Sequence, residues 1–163
     1  MTCGANDLIE IRKAVLGDLG AIKGLADAHR TELGFVRRPA LEESIRRKEV
    51  LIAETDTGVI GFVEYHHRRD PQTTLYHIAV TADQRRQGVG ARLLEALRSE
   101  AENLGKEIIR LKCPDGLPSQ GFYARVGFVQ EGKTEGKARP LTLWALPLQQ
   151  TLLFRAAGRP APQ

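Results

Sequence analysis

The sequence predicts a mixed α/β domain in which an antiparallel hairpin precedes a parallel strand–helix–strand unit. Val50–Ala53 and Val59–His67 are apolar-rich runs on either side of the turn residues Asp56-Thr57-Gly58, the pattern of a hairpin. Thr74–Val80, Gly88–Gly105 and Glu107–Leu111 read as strand, amphipathic helix and strand, so the two strands run parallel through a right-handed crossover. With 163 residues, 42% of them hydrophobic and 27% charged, the chain has the length and composition of one globular domain with its own core.

The elements follow in order. Leu8-Ile9-Glu10-Ile11-Arg12 alternates as a half-buried strand does, and Asp18 stands before a helix that groups Ile22, Leu25 and Ala26 on one face. Beyond Gly34 and Pro39, Leu41–Lys48 has the polar helical spacing of a short second helix. Asp70-Pro71 ends the second hairpin arm. In the long helix Val89, Leu93, Leu97 and Leu104 share the apolar side, and Gly105 stops it. Ser119–Arg125 is a short helix, Phe128-Val129 and Leu141–Leu146 are late strands, and Gly132–Arg139 reads as a loop. The tail from Gln149 offers little to pack, although Leu152-Leu153-Phe154 could dock.

Composition narrows the function classes. No apolar run approaches the roughly 20 residues of a membrane span, and Met1–Glu10 has no export-signal pattern, so a soluble cytoplasmic protein is expected. Two cysteines, Cys3 and Cys113, make neither a disulfide framework nor a metal-ligand spacing. His66, His67 and His77 follow no zinc pattern, so no metal is expected. The net charge of +4 is spread over separate clusters (Arg37-Arg38, Arg46-Arg47-Lys48, Arg68-Arg69, Arg85-Arg86). That suits an anionic ligand but gives no strong case for nucleic acid.

The segment with the most chemistry is Arg85-Arg86-Gln87-Gly88-Val89-Gly90-Ala91, between a strand end and a strong helix start. Amides at a helix N-terminus lack intrahelical acceptors and sit at the positive end of the helix dipole, so they bind anions. A β-carbon at Gly88 or Gly90 would occupy space next to those amides, and the arginines can add charge-assisted hydrogen bonds. The segment is not G-x-x-x-x-G-K-S/T, nor does it have the G-x-G-x-x-G spacing of dinucleotide-binding folds.

R-x-x-G-x-G after Ile78-Ala79-Val80 and before an amphipathic helix resembles the coenzyme A loop of the GNAT N-acetyltransferase family. Phe122-Tyr123-Ala124-Arg125-Val126-Gly127-Phe128 is similar to that family's F-Y-x-x-x-G-F segment. The resemblance spans residues 8–148, with 149–163 left as a flexible tail. It implies a mixed, mostly antiparallel sheet whose fourth and fifth strands splay to admit pantetheine. The backbone of Ile78, Ala79 and Val80 would pair with the pantetheine amides, and Arg85, Arg86, Gln87, Gly88, Val89, Gly90 and Ala91 would hold the pyrophosphate. Many family members carry an Asn after the fifth strand; here the segment is Cys113-Pro114-Asp115-Gly116-Leu117-Pro118-Ser119, and Ser119 is the replacement candidate.

The implied reaction is transfer from acetyl-CoA to a primary amine of a small molecule by direct attack in a ternary complex. A protein or peptide acetyltransferase and a non-catalytic acyl-CoA sensor are the alternatives. An alkylamine has a pKa of roughly 10.4, so attack needs a base, and the departing sulfur needs an acid. Tyr123 matches the family's acid position, and its phenol keeps its proton at neutral pH. Glu64, on a strand face with Ile60, Phe62 and His66, is the candidate base, with the reading of a charge on a solvated face beside it. His66, His67 and His77 are alternative bases, and Cys113 reads as a buried thiol rather than an acyl carrier. By the resemblance, His29–Lys48 walls the acceptor, its arginines reading first as a solvated basic face, and a homodimer through the late strands is compatible.

Overall fold

The computed structural model describes residues 8–84 and 87–149. The expectations placed on Cys3, Arg85, Arg86 and the tail beyond Gln149 lie outside the described residues. Seven strands form one sheet: β1 (Glu10–Lys13), β2 (Val50–Thr55), β3 (Gly58–His67), β4 (Gln72–Val80), β5 (Ile108–Pro114), β6 (Val129–Thr134) and β7 (Leu141–Pro147). Their order is β1-β2-β3-β4-β5-β7-β6. The helices are α1 (Leu19–Ala28), α2 (Arg30–Leu33), α3 (Arg38–Arg46), α4 (Val89–Asn103) and α5 (Ser119–Arg125). The β1–β2, β2–β3, β5–β7 and β6–β7 pairings are antiparallel, and β4–β5 is parallel. Among the described residues no helix is long and apolar enough to cross a membrane.

The chain divides into two compact units. The first holds the described residues of Met1–His66 and Leu75–Leu97. Its core joins Ile22, Leu25 and Ala26 of α1, Leu41 and Ile45 of α3, Val50 and Ile52 of β2, Phe62 of β3 and Ala79 of β4. Burial of such side chains is worth roughly 1.5–3 kcal/mol each, which outweighs the weak helix propensity of the nine-residue α3. Gly61 of β3 lies where a β-carbon would come 3.1 Å from the Ala79 carbonyl oxygen and 3.2 Å from Leu93 Cδ1. Its missing side chain lets β4 and α4 approach. The β2–β3 register passes from Ala53↔Gly61 to Glu54↔Val59, so Ile60 is the extra residue of a bulge.

The second unit holds the described residues of His67–Thr74 and Arg98–Gln163. Its parallel ladder comprises Gln72↔Ile108, Thr73↔Ile109 and Thr74↔Arg110. β5 is paired along its whole length with β7, from Ile108↔Pro147 to Pro114↔Leu141. Ile109, Leu111, Tyr123, Phe128 and Trp144 are buried here. At the end of α4, Gly105 takes φ 79° and the Lys106 amide donates to the Ala101 carbonyl at 2.9 Å, so the glycine stops the helix as its sequence position suggests.

Several boundaries differ from the sequence reading. α3 begins at Arg38, with Pro39 in its first turn, where a missing N–H costs nothing. β4 begins two residues earlier, at Gln72, and the one-turn α2 has no apolar periodicity to announce it. Leu104 is 57% exposed rather than on the buried side, because α4 has ended at Asn103. Part of the expected loop, Gly132–Thr134, is strand: every residue of β6 is exposed at the sheet edge, so no alternation marks it.

Arg12 ties β1 to its surroundings in the first unit, with Nε 2.6 Å from Glu54 Oε1 and Nη1 3.0 Å from Asp18 Oδ2. The guanidinium bond to Asp18, helped by the Val15 amide, holds that carboxyl below the usual carboxylate range. Its folded value therefore lies under its unfolded one, so the contribution is complete above the unfolded value and disappears as pH falls through the folded value. Arg12→Met is expected to cost on the order of 1 kcal/mol at pH 7 in urea unfolding, and the cost should shrink as pH falls through the lowered folded value of Asp18. A pH-independent cost would show that packing of the Arg12 stem dominates.

Candidate active site

The candidate ligand loop belongs to the first unit and is built by the exit from β4. Ala79 is buried, while Ile78 and Val80 are half-buried. The next amide, of Thr81, donates to the carbonyl of the bulged Ile60 at 2.8 Å, so the irregularity in β3 anchors the chain where it leaves the sheet. A 3-10 turn, Ala82–Gln84, then leads toward Gln87 and Gly88. Gly88 takes φ 77°, and among the described residues a β-carbon there would meet nothing within 4 Å beyond its own chain neighbours. The left-handed backbone by itself calls for glycine at this position, and a β-carbon would occupy open space beside the helix-start amides.

The Arg92 amide donates to the Gly88 carbonyl at 3.0 Å and closes the first turn of α4. Gly88, Val89, Gly90 and Ala91 precede that bond, and the first four amides of a helix have no intrahelical acceptor. Val89 is buried and pins the helix start, whereas Gln87, Gly88 and Ala91 are exposed. Thr81 Oγ1 is buried and has no hydrogen-bond partner among the described residues. Leaving a hydroxyl so costs about 1–3 kcal/mol, a cost that a bound polar group would remove.

The same unit carries the candidate base. Glu64 is 4% exposed, which corrects its reading as a solvated strand charge. The Ser44 hydroxyl of α3 donates to Oε2 at 2.7 Å, and His77 Nδ1 of β4 lies 2.7 Å from Oε1. A second buried carboxylate, Glu49, stands 2.9 Å from His66 Nδ1. The Glu49 amide donates to the Ser44 carbonyl at 2.9 Å, and its own carbonyl accepts from the Tyr65 amide at 3.1 Å. Glu64, His66 and His77, weighed as rivals from sequence, thus belong to two carboxylate–imidazole pairs.

Tyr123 and Ser119 lie in the second unit. Tyr123 is 7% exposed and its ring meets Phe122 edge-on at 5.5 Å, Phe128 at 5.6 Å and Trp144 at 6.2 Å between centroids. These contacts fix the ring plane and add to its burial. Ser119 Oγ is 3.3 Å from the buried thiol of Cys113, so this hydroxyl already has a neighbour. Gln120 bridges the site, its amide donating to the Pro114 carbonyl at 3.0 Å and its oxygen accepting from Trp144 Nε1 at 2.8 Å. His67, the third histidine considered, sits between Thr73 Oγ1 at 2.8 Å and Glu100 Oε2 at 2.7 Å. That pairing gives it a structural place.

The expected acceptor wall shows a mostly solvated basic face. Arg46 and Arg47 pair with Glu42 and Glu43 along α3 at 2.8 and 3.1 Å, and Arg37 and Arg38 are exposed. Phe35 stands 63% exposed, with Lys23 Nζ and Arg30 Cζ each 4.9 Å from its ring centroid. Among the described residues no three His, Cys, Asp or Glu side chains gather as a metal site. Sequence reasoning missed Ser44, Glu49 and Thr81, because a lone serine on a helix or a threonine at a strand end has no distinguishing pattern.

A mixed sheet with one parallel pair, and a glycine turn into a helix N-terminus after β4, defines a mixed α/β fold with a helix-start anion site. The chain belongs to the acetyltransferase (GNAT) family, whose sequence model matches residues 22–128. The ribosomal-protein-S18-alanine N-acetyltransferase of Escherichia coli superposes with a TM-score of 0.73 at 21% identity, covering 88% of this chain and 96% of that one. Ard1 of Thermoplasma volcanium gives 0.78 at 19%, over 88% and 99%. PaiA N-acetyltransferase of Thermoplasma acidophilum, solved with coenzyme A, gives 0.74 at 20%, over 85% and 98%. At such identities the likeness shows a shared fold. Comparison with curated protein sequences gives no match.

The left-handed turn makes a selective demand on residue 88. Gly88→Val is expected to lower unfolding free energy by about 1–2 kcal/mol, and Gly88→Asn by clearly less, because Asn enters the left-handed region more easily. Equal costs for Val and Asn in denaturant titrations would contradict the backbone argument.

Proposed function

We propose that this chain is a cytoplasmic N-acetyltransferase that moves the acetyl group of acetyl-coenzyme A to a primary amine of a small molecule, by direct attack with both substrates bound. The observation that carries the reading is the start of α4: a left-handed, open Gly88 turn before amides without intrahelical acceptors, with a Thr81 hydroxyl at the end of β4 that has no partner among the described residues. Open space around Gly88 and an orphaned hydroxyl where β4 ends fit an anionic, hydrogen-bonding ligand. In this reading the amides of Gly88 to Ala91, with Gln87, Arg85 and Arg86, hold the diphosphate. The backbone of Ile78, Ala79 and Val80 pairs with the pantetheine amides, and Ser119 adds a contact.

When bound, acetyl-coenzyme A supplies an activated acyl group on a thiolate leaving group. Tyr123 gives its phenolic proton to the departing sulfur and recovers one from the solution. Its burial among three aromatic rings supports a fixed orientation for that donation. Glu64 supplies the negative charge on the basic side of the reaction, and its two short hydrogen bonds support that role. A peptide acceptor is the second reading, favoured by the exposed Phe35 with its two flanking cations in the expected acceptor wall.

Calorimetry with coenzyme A should show saturable association, and thiol release from acetyl-coenzyme A should require one class in a panel of polyamines, amino acids, aminoglycosides and peptides. Tyr123→Phe is expected to lower kcat about a hundredfold and leave coenzyme A affinity intact. Association without turnover on any amine would indicate a sensor, and unchanged kcat in Tyr123→Phe would remove the tyrosine from the mechanism. A folded protein that takes up no coenzyme A would overturn the reading as a whole.

A further inference from the structure

The carboxylate that marks the basic side of the site is poorly placed to take a proton itself. Glu64 is buried, its side chain 5% exposed, and both oxygens are engaged, one by the Ser44 hydroxyl and the other by His77. Ser44 is buried as well. The member of the trio that reaches the surface is His77, whose side chain is 26% exposed. Its Nδ1 faces Glu64, and its Nε2 has no protein partner among the described residues.

A carboxylate that accepts from Ser44 on one oxygen favours an N–H from the imidazole on the other, because an unprotonated Nδ1 would set two lone pairs against each other. Neutral His77 is therefore held as the Nδ1–H tautomer, with Nε2 as an acceptor at the exposed edge. We propose that His77 Nε2 is the proton acceptor of the reaction, and that Glu64 and Ser44 are positioning residues that set its tautomer and orientation. The inference rests on the acetyl-transfer reading above.

The protons balance as follows. The acceptor arrives as an ammonium and loses one proton to Nε2, which frees its lone pair; His77 becomes an imidazolium beside the Glu64 carboxylate and later releases that proton to water. As the new N–C bond forms and the C–S bond breaks, the second amine proton leaves to solution, matching the one Tyr123 delivers to sulfur. The charged group in contact with the imidazole is the Glu64 carboxylate of β3; two residues along β3, His66 has its own carboxylate partner in Glu49.

The test has a readout that needs no turnover. Long-range ¹⁵N–¹H correlation spectra of the ligand-free protein should show neutral His77 as the Nδ1–H tautomer, and Glu64→Gln should move it toward Nε2–H, since the new amide can donate to Nδ1. In thiol-release assays with whichever amine of that panel the wild-type protein uses, His77→Gln is expected to lower kcat about a hundredfold and Ser44→Ala about tenfold, with coenzyme A affinity by calorimetry unchanged. An Nε2–H tautomer in the wild-type protein, wild-type kcat in His77→Gln, or a loss that follows His66→Gln instead would overturn the assignment. Failure to bind coenzyme A would overturn the acetyl-transfer reading, whereas binding with turnover indifferent to His77 would overturn only this inference.

Discussion

The buried carboxylate of Glu64 ties together α3, β3 and β4 in the first unit. Taking an acidic side chain out of water costs several kcal/mol unless donors replace the solvent, so the chain around it must deliver them. Ser44 comes from α3 and His77 from β4, segments far apart in sequence, and both reach Glu64 at 2.7 Å. Meeting that demand links the end of α3 to the start of β2. The Ser44 carbonyl accepts the Glu49 amide, the Lys48 carbonyl accepts from Lys13 Nζ at 2.6 Å, and Lys48 itself takes φ 63°. A non-glycine residue held in the left-handed region is tolerated because both of its flanks are tied down.

The exit from β4 depends on a similar compensation in the backbone. Gly61 has no side chain to hold β4 and α4 away, and the bulge at Ile60 offers its carbonyl to Thr81. These two irregularities, both in β3, set where the polypeptide leaves the sheet and turns toward Gly88. From there the helix start follows from local rules: a glycine that accepts positive φ, a buried Val89 that anchors the first turn, and amides left over because a helix cannot pair its own beginning. The candidate ligand loop is therefore supported by packing one strand away.

How much of this the sequence reveals depends on how each feature is encoded. The long helix, the hairpin and the parallel unit are legible because apolar periodicity runs through Val89, Leu93 and Leu97 and through the β-rich Thr74–Val80. β6 is not, since an exposed edge strand such as Val129–Thr134 needs no apolar face and takes its conformation from pairing with β7. In the candidate site Tyr123 and the glycine loop stand in recognisable local strings. Glu64 is recognisable only as a charge on a strand, and neither its burial nor its partners can be inferred from neighbours in sequence. Ser44 and His77 lie 20 and 13 residues from it, so their roles emerge only when α3 and β4 fold against β3.

A purely structural explanation of the Ser44–Glu64–His77 trio fits poorly with its energetics. Buried ionic or polar groups rarely add net stability: apolar side chains of similar volume commonly do as well or better, and loss of one partner leaves the others uncompensated. The surroundings here are already apolar, with Phe62 buried two residues away on the same strand. A core built for stability alone would extend that surface through residue 64. Instead the chain keeps a buried acid, surrounds it with two polar partners, and brings one of them to the surface as an imidazole edge beside the strand that leads into the glycine loop. The proposed chemistry at that edge would account for an arrangement that packing does not require.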